Sequence, residues 1–167
     1  MIIRTPRFYV VGEPMGATYA ALLAAGVNEG ASFGFALRHG EEIADHAYLM
    51  IRRLEPYLLT KSVAAAWPGT RLLDGSKADV FAYQLLPESL EVLVTTTSRL
   101  YEWQHPDLPE DLFIRQSDGG IWLTSISHEH EAFLRVSRQE AASLLRLVPD
   151  LALEFGETAS AEDEGRK

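Results

Sequence analysis

Two histidines two residues apart, His128 and His130, stand among carboxylates in the run His128-Glu129-His130-Glu131. On a continuing β-strand, side chains two apart point to the same face. Imidazoles so placed can share a divalent cation such as zinc, manganese or iron, with a third ligand from the carboxylates of the 107–111 stretch. A water on such a metal is a hydrolytic nucleophile, so one reading of the chain is a small metal-dependent hydrolase with a His/carboxylate site. H-x-H supplies only two ligands and lacks the spacing of H-E-x-x-H, and a tight turn destroys the alternation. An exposed polar turn that binds nothing is the competing reading.

A different chemistry comes from the wider window. Between Glu102 and Glu131 there are seven carboxylates against one base, Arg115, and three of the chain's five histidines. Clustered carboxylates speed encounter with a basic protein and fix its register. Glu110, Asp111, Glu129 and Glu131 are the residues for such a surface, with Trp103 as an aromatic anchor. Trp103 and Trp122 equally suit a core. A non-enzymatic protein-binding domain with an acidic edge and a basic partner is therefore the favoured function, with the hydrolase as alternative. Other motifs fail. Gly12-Glu13-Pro14-Met15-Gly16 has neither a Walker lysine nor G-x-G-x-x-G spacing, and Glu13 would repel a phosphate. Asp74-Gly75-Ser76-Lys77 reads as a turn, and G-x-S-x-G is absent. His39 and His46 read as structural.

Charge and composition narrow the partners. The chain has 167 residues and a formal net charge of −9. Residues 1–75 are neutral, and the acidic excess lies beyond them. Nucleic acid needs a basic stripe that displaces counterions, and the sequence shows none. Without cysteine, disulfides, thiolate zinc sites and cysteine nucleophiles are excluded. The opening Met1–Arg7 lacks an apolar signal core and no run is long enough for a membrane span, so the cytoplasm is the expected location.

The elements that must position these residues read as α+β: a mixed sheet, a C-terminal three-strand antiparallel meander and about four helices. Strands are expected at 7–11, 32–38 and 78–85. A helix is expected from Pro14 to Gly26. A second, after Glu41-Glu42, puts Ile43, Ala47, Met50, Ile51 and Leu54 on one face before Pro56. Val63–Trp67 suggests a short helix before a Pro68-Gly69 turn, with Trp67 as a loop anchor. Pro87–Trp103 suits strand by propensity and helix by periodicity, and helix is preferred. Strands at 112–116, 121–127 and 132–137 form the meander, whose geometry brings residues 105–111 beside 128–131. Ser137 and Glu140 make a capping box for the last helix, which Pro149 stops. Residues 1–155 then form one domain, and 156–167 an acidic, disordered tail.

Leu108-Pro109-Glu110-Asp111-Leu112, followed by Asp118-Gly119-Gly120, resembles the paired signature of the SUKH immunity superfamily. That resemblance implies a protein that neutralises a toxin, often a nuclease, by binding it. The wider pattern is also similar to small bacterial α+β proteins without an assigned activity.

Overall fold

The computed structural model describes residues 5–156. Eight strands form one sheet in the order β10-β1-β9-β8-β7-β2-β6-β3. They are β1 (Arg7–Val10), β2 (Ser32–Arg38), β3 (Leu58–Ala64), β6 (Ala78–Gln84), β7 (Glu110–Arg115), β8 (Ile121–Ile126), β9 (Glu131–Arg135) and β10 (Leu153–Phe155). Each pairing in that sheet is antiparallel rather than mixed. A two-stranded hairpin, β4 (Ala66–Trp67) and β5 (Thr70–Arg71), stands apart. Among the described residues, four helices complete an α+β fold: α1 (Gly16–Ala25), α2 (Asp45–Leu54), α3 (Pro87–Thr96) and α4 (Arg138–Leu147). Among the described residues, no helix is long and apolar enough to cross a membrane.

Alternation along the strands divides the interior in two. In β2, Phe33 and Phe35 join the main core, while Ala36 joins a smaller one with Trp67, Ala78 and Phe113. The main core takes Tyr19, Leu22 and Leu23 of α1, Ala47, Met50 and Leu54 of α2, Val92 and Leu93 of α3, and Ala141 and Leu144 of α4. In α1, α2 and α4, residues three or four apart thus supply the buried face. The smaller cluster is closed by the β4–β5 hairpin. Gly69, at φ +84°, turns the hairpin so closely onto β8 that a Cβ there would stand 2.8 Å from Thr124 Cγ2. Within the sheet, Gly34 has no room at all: a Cβ would lie 2.1 Å from the Phe81 carbonyl and 2.4 Å from the Phe113 ring.

Local signals explain most boundaries. Ser137 Oγ accepts from the Glu140 N–H at 3.1 Å and Glu140 Oε2 accepts from the Ser137 N–H at 2.6 Å, the expected capping box. The helix opened by Pro87 ends at Thr96, and a 3-10 turn at Leu100–Glu102 carries the chain to Trp103. The helix expected at Val63–Trp67 is absent. Leu58–Ala64 is instead one of the sheet's two edge strands, in register with β6 from Lys61↔Phe81 to Ala64↔Ala78. Its β-branched residues Thr60 and Val63 suit that pairing. The 156–167 tail lies outside the described residues apart from Gly156.

Candidate functional site

Asp111 organises the end of the meander from within. It is 1% exposed, at φ +62°. Its Oδ2 accepts from Trp67 Nε1–H and Thr70 Oγ1–H, both at 2.9 Å, and its Oδ1 from the Ser127 N–H at 2.9 Å. Its own N–H donates to the Trp103 carbonyl at 3.0 Å. One buried residue therefore ties the β4–β5 hairpin and the β8–β9 turn through its carboxylate and the segment before β7 through its backbone N–H. Asp, like Asn, enters the left-handed region more easily than other side chains, which suits this position.

This location corrects part of the expected partner surface. Asp111 belongs to the interior, and so does Trp103, which is fully buried. Trp103 stacks on Phe35 with ring centroids 5.7 Å apart, and its indole N–H donates to the Tyr19 hydroxyl at 3.1 Å. Trp122 is likewise core. Glu110 is half-buried, 3.7 Å from Arg38, and burial followed by the Asp111 charge raises its pKa above the usual carboxylate value. Only Glu129 and Glu131 of the five are exposed. All three meander strands are also interior to the sheet, since β1 flanks β9 and β2 flanks β7. What the molecule presents is the end of these strands, not a lateral sheet edge.

The histidine pair parts in the turn. β8 stops at Ile126, Ser127–Glu129 form a 3-10 turn, and His130 is left-handed at φ +54°. Period-two alternation does not survive such a backbone. His128 lies 3.7 Å from Glu129, whereas His130 stacks on Tyr101 at 5.3 Å between centroids. Among the described residues, no group of three or more His, Asp and Glu side chains is gathered to hold a metal ion.

Beside this turn lies a cleft of about 490 Å³. Its wall brings together Glu13, His46, Arg99, Glu102, Asp107 and His130, with Tyr101 and His105 between them. Glu13 fixes Arg99: Nη2 and Nε reach its two carboxylate oxygens at 2.6 and 3.3 Å. The Tyr101 N–H also donates to Glu13 Oε1 at 3.3 Å. Thr97 Oγ1 donates to Glu102. Burial, then the charges of Glu13 and Glu131, push the Tyr101 hydroxyl up to about 12, so it stays protonated. His105 accepts from the Arg38 N–H at Nε2, 3.2 Å away, and its Nδ1 faces the Glu42 carbonyl at 3.3 Å. Burial holds its imidazole below the usual histidine value, although the Glu42 hydrogen bond and the Glu41 charge act the other way.

Glu13 and His46 were not among the expected site residues, and His46 had been assigned a structural role. They come from the loop between β1 and α1 and from the first turn of α2, far in sequence from the window they complete. His39 lies 2.9 Å from Asp79, whose carboxyl that contact holds below its usual value. The chain matches no family model, no curated protein and no solved structure.

Proposed function

We propose that the protein is a non-enzymatic binding domain whose acidic cleft receives a cationic group of a basic partner protein. The observation that carries this reading is the charge of the cleft. Three carboxylates, Glu13, Glu102 and Asp107, meet one guanidinium, Arg99, and that guanidinium is already held by Glu13. Glu131 extends the negative field past Tyr101 to the exposed turn. Clefts lined by one sign of charge concentrate ligands of the other sign. The exposed His130 imidazole, stacked on the buried Tyr101 ring, adds a flat face against which a planar guanidinium can lie. This is the kind of surface that an immunity protein of the resembled superfamily would turn toward a basic toxin.

An arginine-rich peptide and its glutamate counterpart, titrated by calorimetry, test the reading. The basic peptide binds, the acidic one does not, and Glu102→Gln with Asp107→Asn weakens binding at least ten-fold. Equal binding of both peptides, or an affinity indifferent to the double substitution, refutes it.

A further inference from the structure

His105 joins the segment before β7 to the loop that enters α2. Besides the contacts of its two ring nitrogens with Arg38 and Glu42, the neighbouring Pro106 carbonyl accepts from the Ala44 N–H at 2.8 Å. A backbone N–H can only donate and a carbonyl can only accept. The ring must therefore carry its single proton on Nδ1 and leave Nε2 bare. A second proton would sit on Nε2 and set two N–H donors face to face. The ring must then leave its seat and its contact with the Glu42 carbonyl is lost with it, leaving the Ala44–Pro106 bond to tie the loop to this segment.

We propose that His105 is an acid-sensitive pin: its protonation loosens the 39–44 loop and the start of α2 from residues 104–108, and with them the wall of the acidic cleft. That this also releases a cationic ligand rests on the cleft reading above; the loosening of the loop does not.

The charges that face the ring are mixed. Arg38, at the end of β2, opposes its protonation, and Glu41, in the loop, favours it. Glu110 of β7 stands against Arg38. Around the cleft lie Glu13, Arg99, Glu102, Asp107, His46 and His130. Burial is the dominant influence on the ring, and it favours the neutral form. Because the pinned ring is neutral and the freed ring ionises more readily, the pin holds fully above the free histidine value of about 6.5. It weakens as pH falls below that value, toward the lower value of the pinned ring. One pH unit below about 6.5, the ratio of open to closed loop rises by up to about ten-fold.

Amide hydrogen exchange on the whole, ligand-free chain between pH 7.5 and 5.5, corrected for intrinsic rates, reads this ratio directly. Exchange of the 38–44 amides should accelerate toward that limit while the Phe33 and Phe35 amides of the core strand hold. Ring-nitrogen NMR should show the proton of His105 on Nδ1. His105→Gln can accept from Arg38 and donate to Glu42 without titrating, so its acid step should vanish. A flat wild-type profile, a proton on Nε2, or an undiminished step in His105→Gln overturns the pin. If His105→Gln does not fold, the wild-type tautomer and exchange profile decide alone. Repeating the arginine-peptide titration across the same pH range separates the two ideas. A peptide that never binds, with the loop still loosened by acid, fails the cleft reading and not the pin. A peptide that binds while the loop stays closed at pH 5.5 fails the pin and not the cleft.

Discussion

Replacing Asp111 by Asn removes the charge from the centre of the meander end while retaining a side chain that tolerates φ +62°. Backbone strain therefore drops out of the comparison, and hydrogen bonding remains. If the amide oxygen keeps the Ser127 N–H, its NH2 group takes the place of Oδ2 and faces the Trp67 indole N–H. Indole nitrogen is a donor only, so two donors confront each other in a buried site. Thr70 can turn its hydroxyl to accept, but Trp67 has no such option. Losing a hydrogen bond to a charged group, about 1.5–3 kcal/mol, and leaving a buried donor unsatisfied, about 1–3 kcal/mol, together cost about 3–5 kcal/mol. For a domain of this size that lowers Tm by about 6–20 °C. Trp67→Phe alone removes one hydrogen bond to a charged acceptor, worth about 1.5–3 kcal/mol. In the double variant the donor clash is gone. The two losses should then overlap, with a coupling energy of about 1.5–3 kcal/mol from the double-mutant cycle. Urea denaturation followed by circular dichroism measures all four proteins without relying on Trp67 fluorescence. A coupling energy within about 0.5 kcal/mol of zero, as for independent sites, would refute the view that Asp111 anchors the hairpin through Trp67.

Gly34→Ala should destabilise the fold by at least the ~1–3 kcal/mol typical of overpacking, because its Cβ meets a carbonyl and an aromatic ring inside the sheet. Chemical denaturation checks this, and a loss below about 0.5 kcal/mol would show the strands can part. Glu110→Gln should reduce the pH dependence of stability. The raised folded-state pKa of Glu110 means that its contribution is fully present below the unfolded carboxylate value of about 4.3 and is lost as pH rises through the folded value. Denaturation midpoints from pH 4 to 7 should therefore fall less steeply with rising pH in the variant; an unchanged pH profile counts against burial as the cause.

How far the sequence speaks depends on whether a feature is local. The α4 capping box needs only Ser137 and Glu140, three apart, and both its hydrogen bonds form as expected. The meander is equally local, set by two short connections. β3 is not. Its side chains are exposed on both faces as far as Val63, so it shows no alternation between buried and exposed positions, and its pairing with β6 spans the β4–β5 hairpin. The acidic window was legible as composition, but not which of its residues face water. Asp111 carries a buried network that only Trp67 and Thr70, some forty residues earlier, can explain. The H-x-H spacing misled because strand geometry was extended through Ser127–Glu129, where the backbone coils into a 3-10 turn. Nothing short-range could have placed Glu13 and His46 at the cleft.

The position of β1 in the strand order bears on the order of assembly. β1 pairs on one side with β9 and on the other with β10, whose residues lie more than a hundred positions further along the chain. A ribosome supplies residues from the N-terminus at about 5–20 per second. The first strand therefore emerges several seconds before either neighbour exists, with both rows of its backbone donors and acceptors unpaired. β2 and β6, by contrast, need fewer than ninety residues to meet. The half-sheet of β2, β6 and β3 can form while β1 waits, and docking β1 into the gap between β9 and β10 becomes the closing event. Long-range pairings of this kind slow folding. A nascent chain halted after β6 would carry Phe8 and Val10 exposed, a transient sticky segment that vanishes once the last strands arrive.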